Sequence, residues 1–485
     1  MLNLKDPSLL KSQSFIDGDW CNADSQSTMD VFNPATGALV GSVPKMGTIE
    51  TQRAIEAADN AKKAWRQLLA KDRAAILRRW YQLMLDNCDD LAIIMTAEQG
   101  KSLSEAKAEV LYSAAYIEWF AEEGKRVYGD TIPAAAPGRR IMVTKEPIGV
   151  CAAITPWNFP SAMIGRKVGP ALAAGCTMVV KPSELTPLSA LALAELAQRA
   201  GVPAGVFNVI TGNPVEIGNE LCANSTVRKI SFTGSTAVGR LLMKQSADNI
   251  KKLSLELGGN APFIVFNDAD LDAAVEGALA SKYRNSGQTC VCVNRFYVQD
   301  EVYEAFSQKL VEAVKKNFKV GNGFDAGVNQ GPLINESAVC KVENQISDAV
   351  AKGARILTGG RRHLLGGTFF EPTVLADVDQ SMLVSKEETF GPVAPLFRFK
   401  TVDEVIAMAN DTEFGLASYF YSRDIGLIFQ VAEQLEYGMV GINTGLISSE
   451  AAPFGGVKQS GMGREGSKYG IEEYLVMKYW CLAGM

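Results

Sequence analysis

The sequence predicts an α/β protein built from two doubly wound domains and a small additional β element, and three observations predict it. With 485 residues, 47% hydrophobic and 21% charged, the chain can fill two or three compact cores. Apolar strand-like runs at 150–154, 177–180, 206–210 and 229–232 alternate with helical segments, the pattern of a parallel sheet with helices on both faces. The alternation restarts after Asp268, with further runs at 296–299, 355–358, 393–399, 417–421 and 440–443.

Taken in order, residues 49–69 carry Ile55, Ala58, Trp65 and Leu68 near helical spacing, and Ile76, Trp80 and Leu83 repeat the pattern. Ser102 and Glu105 form a capping box that opens a helix, which Gly124 stops. An arginine-containing extended piece spans 138–145. Thr186-Pro187 starts a helix by the cap-then-proline rule, and Gly201 ends it. The tail, 469–480, is apolar and β-like, and an unpaired strand of this kind invites pairing with another subunit.

Composition narrows the function. Lysine and arginine number 48 against 54 acids, a net charge of −6 with mixed signs and no basic run, so no nucleic-acid surface is expected. Nine irregularly spaced cysteines without a Cys-x-x-Cys imply a reducing compartment. The first fifteen residues lack a basic flank and apolar core, and no stretch reaches the roughly 18 apolar residues of a membrane helix. The expectation is a cytoplasmic protein with no membrane contact. The single histidine, His363, expected on an exposed loop, leaves nothing for a Ser-His-Asp triad or a multi-histidine metal site; no metal is expected.

The stretch 283–295, YRNSGQTCVCVNR, is a polar, glycine-broken turn between a helix-like and a strand-like segment. A cysteine is ordinarily a small buried hydrophobe, but Cys290 has Gly287, Gln288, Thr289 and Arg284 beside it. If it is a nucleophile, the expected base is a carboxylate. Three strand ends describe a nucleotide cleft: Thr155-Pro156-Trp157-Asn158, Lys181-Pro182-Ser183-Glu184, and Thr233-Gly234-Ser235 opening a helix whose free N–H groups suit a phosphate. One G-x-G-x-x-G match, Gly461 to Gly466, is rejected as a dinucleotide fingerprint. No strand leads into it, and too few residues follow for a βαβ unit; a glycine-rich turn is the better reading.

TPWNFP, KPSE, FTGS, ELGGN, GQTC and EETFGP stand in this order along the chain. Together they resemble the aldehyde dehydrogenase superfamily over nearly its whole length. Residues 445–461, the GREGSKYGIEEYL that follows, Arg166, Arg284 and the Cys290-Val-Cys292 triplet are most similar to the succinate-semialdehyde dehydrogenase branch. The resemblance implies a cofactor-binding domain (1–130 and 149–257), a catalytic domain (258–445), and an oligomerisation element with a C-terminal substrate-site segment (131–148 and 446–485). It implies NAD(P)+-dependent oxidation of an aldehyde, with Cys290 as nucleophile, Glu256 as general base, and the Asn158 amide with the Cys290 N–H as oxyanion donors. Lys181 and Glu184 would face the adenosine ribose, and Thr155, Pro156, Trp157, Gly234, Ser235 and Leu257 the remainder of the cofactor. Glu388 and Phe390 would hold the nicotinamide ribose and ring.

Glu184 suits a ribose diol and so NAD+, whereas Ser183 and Lys181 suit a 2′-phosphate; the reading leans to NADP+. Arg166 and Arg284, with Ser448 as third donor and Phe454 as apolar wall, imply a small anionic aldehyde, succinic semialdehyde, with a place in GABA degradation. Glutaric semialdehyde, one methylene longer, is the competing substrate, and a catalytically retired binding protein the competing class. A CoA-acylating relative is disfavoured because Glu256 is placed to activate water. Cys290 and Cys292 are a candidate redox pair, and a homo-oligomer, dimer or tetramer, is expected.

Overall fold

The computed structural model describes residues 2–484. Val150–Ile154 shows how the chain builds its first sheet: Cys151 and Ala153 enter one hydrophobic core while Val150 and Ala152 enter another. Side chains alternate across a strand, so a strand apolar at every position must be covered on both faces. The helices Leu103–Glu123, Ala162–Ala174 and Leu188–Ala200 fill one of these cores.

This sheet runs Gly461–Met462, Lys252–Glu256, Val227–Thr233, Val150–Ile154, Thr177–Lys181, Phe207–Val209, Ser14–Ile16, Asp19–Cys21. Its five central strands are parallel. The chain order reverses between Val150–Ile154 and Val227–Thr233, so a crevice opens at their carboxyl ends. The second sheet runs Arg355–Thr358, Thr373–Ala376, Val393–Phe399, Val293–Gln299, Ala261–Val265, Ala417–Tyr421, Met439–Ile442. It is parallel except at its first pair. The expected two α/β domains are therefore present. The strands Ala261–Val265 and Thr373–Ala376, unread in the sequence, complete the second. Among the described residues no helix is long and apolar enough to cross a membrane.

Four expectations need correction. Residues 469–472 belong to the helix Ser467–Glu472, and the terminal strand is Leu475–Ala483. That strand is not unpaired: it runs antiparallel to Arg139–Pro147 over nine residues, with Asp130–Ile132 on the far side, and its outer edge has no strand partner among the described residues. The helix Leu188–Ala200 is not capped by Thr186, whose buried hydroxyl has no partner. Instead the Glu98 carboxylate accepts from the Leu188 and Ser189 N–H groups at 2.7 and 2.8 Å. A buried acid supplied by another helix does the capping. His363 is half-buried, its Nδ1 accepting from the Leu365 N–H at 3.3 Å.

Glu98→Ala is expected to lower stability by about 2 kcal/mol, because two buried N–H groups lose their acceptor. Thr186→Val, nearly isosteric and losing no bond, should change it by less than about 0.5 kcal/mol. Denaturant unfolding of the two variants checks the assignment, and the reverse order would restore Thr186 as the cap.

Candidate active site

The thiol-bearing loop begins in a turn that ordinary residues resist. Asn285 and Ser286 take φ of +50° and +59°, ahead of Gly287 at +75°, in the left-handed region that costs a non-glycine residue energy. Neighbours hold them there. The Asn285 N–H donates to Glu105 Oε1 at 2.7 Å, and Gln99 Nε2 donates to Asn285 Oδ1 at 3.1 Å. Ser286 Oγ donates to the Gly331 carbonyl at 2.9 Å. A Cβ on Gly287 would stand 2.1 Å from the Gly391 carbonyl oxygen, so this position requires glycine.

Beyond the turn, Cys290 is half-buried and Cys292 buried, both as free thiols. The Cys292 Sγ donates to the Lys282 carbonyl at 3.2 Å. Burial pushes the Cys290 thiol up to about 12; the Arg166 cation pulls it down, while Glu388 and Glu256 push it further up.

Asn158 follows the strand Val150–Ile154 at its carboxyl end. Its Nδ2 donates to the Gln288 carbonyl at 3.0 Å, which leaves the second amide N–H free for an incoming oxygen. Glu256 ends the neighbouring strand Lys252–Glu256, 3% exposed, with neither carboxylate oxygen hydrogen-bonded. Burial, then the Glu465 carboxylate, raises its pKa well above the ordinary range, against Arg166, Lys167 and Arg464. Glu465 goes the other way. Burial pushes it up, yet the Arg166 and Lys167 cations hold it below its ordinary value, each 2.6 Å away. Two acids in one buried cluster are thus driven apart.

The segment read as a glycine-rich turn lies directly on Glu256. Gly461 and Met462 form a short antiparallel strand opposite Glu256 and Leu255. A Cβ on Gly461 would stand 1.8 Å from the Leu255 carbonyl oxygen, so the glycine is there to let two backbones meet.

Cys290, Glu256 and Asn158 line one cleft of about 360 Å3, together with Pro156 and Trp157. Gly234, Ser235 and Leu257 line it from the same sheet, and Glu388 and Phe390 from the other. Trp157 and Phe390 meet edge to face with centroids 5.5 Å apart, and Phe390 holds φ of +53°. Ser235 caps the helix Thr236–Ser246 through the Val238 N–H at 3.4 Å. Glu388, pushed up to about 7 by burial, accepts from the Gly259 N–H at 3.1 Å. A helix N-terminus for phosphate, an acid for hydroxyls, an aromatic pair beside a flat ring, and the buried Thr389 hydroxyl without a partner together fit a dinucleotide.

The sequence missed Met163, Ser337, Ala338 and Lys341 in this cleft. The last three lie on the helix Glu336–Ala351, whose only signal was its helical spacing.

Other expected residues lie outside the cleft. Lys181 and Glu184 pair with each other at 2.8 Å, Ser183 Oγ accepts from the Leu185 N–H, and the Thr155 N–H donates to the Lys181 carbonyl. Arg166 is 2% exposed and stacks on Phe454, its Cζ 3.8 Å from the ring centroid. Its contact with Glu465 is out of line, so Nε and one Nη lack a hydrogen-bond acceptor. Arg284 is half-buried, its Cζ 4.9 Å from the Phe159 centroid, and among the described residues it enters no ion pair. Ser448 is half-buried on the segment after Met439–Ile442.

Comparison with known proteins places these residues in context. The family model described as aldehyde dehydrogenase family matches residues 20–480. Glutarate-semialdehyde dehydrogenase of Pseudomonas aeruginosa is 67% identical over 100% of both chains. The NADP(+) succinate-semialdehyde dehydrogenase GabD of Escherichia coli is 65% identical over 99% of this chain and 100% of its own. The crystal structure of a succinate-semialdehyde dehydrogenase from Burkholderia pseudomallei superposes with a TM-score of 0.99 at 67% identity, covering 99% of this chain and 100% of that one.

A raised thiol pKa has a direct readout. Iodoacetamide should alkylate Cys290 of the unliganded protein at a rate that climbs about tenfold per pH unit between pH 7 and 10, since only the thiolate reacts. Mass spectrometry of the modified loop follows it, and a plateau below pH 9 would contradict the burial effect.

Proposed function

From the premise that this chain belongs to the aldehyde dehydrogenase family and is an oxidoreductase, we propose that it oxidises succinic semialdehyde to succinate. The observation that carries the substrate class is Arg284, a half-buried cation without an ion pair among the described residues, six residues before Cys290. With the Arg166 Nη2, which has no hydrogen-bond partner, it offers cationic donors for a terminal carboxylate, and Phe454 supplies the apolar wall. Ser448 is the third donor. Glutaric semialdehyde is the second reading, favoured by the name of the 67% identical relative, and one methylene is worth only about 1–3 kcal/mol of discrimination.

In this reading Cys290 attacks the aldehyde carbon and its proton passes to Glu256. The developing oxyanion takes the free Asn158 amide N–H and the Cys290 N–H, donors of a kind worth about 3 kcal/mol each. Bound NAD(P)+ supplies a hydride acceptor, and oxidation of the Cys290 adduct gives a thioester. Once Glu256 has released that proton to solvent, its carboxylate draws a proton from the water that opens the thioester, and the same proton passes on to the leaving Cys290 sulfur to return the thiol. Its raised pKa makes the ionised Glu256 a stronger base for both duties than an ordinary carboxylate. Pro156, Trp157, Gly234, Ser235 and Leu257 would hold the cofactor, with Glu388 and Phe390 at its nicotinamide end.

We infer NADP+ ahead of NAD+. The Glu184 carboxylate is engaged by Lys181, which weakens its repulsion of a 2′-phosphate, and the 65% identical relative carries NADP(+) in its name. The exposed outer edge of Leu475–Ala483, with Val476, Met477, Tyr479 and Trp480 on it, supports a homo-oligomer.

Two measurements test this. Reduced-nicotinamide absorbance is read with succinic semialdehyde, glutaric semialdehyde and propanal crossed against NAD+ and NADP+. Arg284→Ala should lose about 10- to 100-fold in kcat/KM for the acid aldehydes, the worth of charge-assisted hydrogen bonds, and keep propanal within threefold. Equal rates for propanal and the semialdehydes in the parent would refute the substrate. In Glu465→Gln, Glu256 loses a like charge and gains two freed cations, so the ascending limb of the pH–rate profile should move to lower pH; an upward move would refute the assignment of Glu256.

A further inference from the structure

A buried ion pair lies beside the reacting groups without belonging to them. Lys101 Nζ and Glu109 Oε2 are 2.5 Å apart, each side chain 1% exposed. The ammonium spends its other donors on the site. Nζ donates to the Asn158 carbonyl at 2.8 Å and stands 4.1 Å from the Phe159 ring centroid. The second Glu109 oxygen accepts from the Ser161 and Ala162 N–H groups at 2.9 and 3.2 Å, where the helix bearing Arg166 begins. The pair therefore grips the segment 158–162 at both ends.

A buried pair is a poor way to gain stability, because desolvating two charges costs as much as their attraction returns and an apolar replacement is often as stable. Its geometry accounts for its presence better. The Asn158 amide has two N–H groups, and one is spent on the Gln288 carbonyl. The direction of the other depends on the Asn158 backbone, whose carbonyl is held by Lys101 and by Asn285 Nδ2 at 3.0 Å. The same stretch of chain steadies the thiol loop, since Gln99 and Glu105 bind Asn285.

We infer that Lys101 and Glu109 are positioning residues that aim the free Asn158 N–H at the oxyanion and set the turnover rate through it. The inference rests on the reading of Asn158 as an oxyanion donor.

The experiment is a double-mutant cycle between Lys101→Met/Glu109→Gln and Asn158→Ala in the full-length enzyme, with kcat and both KM values measured using succinic semialdehyde and NADP+. The paired variant replaces the ions by neutral groups and lets Gln at 109 keep an acceptor for Ser161 and Ala162. Its kcat should fall about 10- to 100-fold, as misplacement of a reacting partner does, with both KM values within threefold. In the Asn158→Ala background the same change should leave kcat within threefold, because nothing remains to be aimed. A paired variant within threefold of the parent overturns the inference, and so does an equal loss in both backgrounds, which marks a general structural role. If Asn158→Ala alone keeps parental kcat, the oxyanion reading itself has failed. Should the paired variant not fold by circular dichroism, Glu109→Gln alone is put through the same cycle, with about a 3- to 10-fold loss expected and a parental kcat again overturning the inference.

Discussion

The hydrogen bond from the Asn158 amide to the Gln288 carbonyl, 3.0 Å long, joins the two sheets at the point where chemistry would occur. Asn158 leaves the carboxyl end of a strand in the first sheet, and Gln288 precedes the amino end of Val293–Gln299 in the second. The sheets thus meet with opposite strand ends facing one cleft. The first contributes what such ends ordinarily hold, a crevice and a helix N-terminus. The second contributes a thiol on a turn whose left-handed residues need outside support. Gln99, Glu105 and Gly331 give that support.

Around this junction the electrostatics follow from burial. Glu256 and Glu465 share one cluster with Arg166 and Lys167. The two cations lie 2.6 Å from Glu465, which lowers its pKa, while burial and the Glu465 charge raise that of Glu256. Identical carboxylic acids are thereby given proton affinities shifted in opposite directions. The arrangement also explains why Arg166 tolerates complete burial: Glu465 on one side and the Phe454 ring on the other replace its water.

Much of this was legible from residue order. Most strands of the parallel sheets, the capping box at Ser102 and the grouping of Cys290, Glu256 and Asn158 depend on local pattern and on motifs spaced along the chain. The misreadings share one cause. Thr186 looked like a cap because the rule is local, but the acceptor came from Glu98, 90 residues away. The tail looked unpaired because its partner, Arg139–Pro147, lies more than 300 residues earlier. Lys341 and Met163 carried no motif and were missed.

By itself the sequence determined the alternation of strands and helices, the thiol in its polar loop, and a chain with a single histidine. These are consequences of side-chain period and residue chemistry, which a linear chain displays. Only the tertiary structure decided that Glu256 rather than Glu465 is the acid whose proton affinity is raised, that Arg284 enters no ion pair among the described residues while Arg166 does, and that Lys101 reaches the Asn158 carbonyl. Charge interactions in a buried site depend on distances of a few ångströms between residues tens to hundreds apart in sequence, and those distances exist only once the two sheets have met.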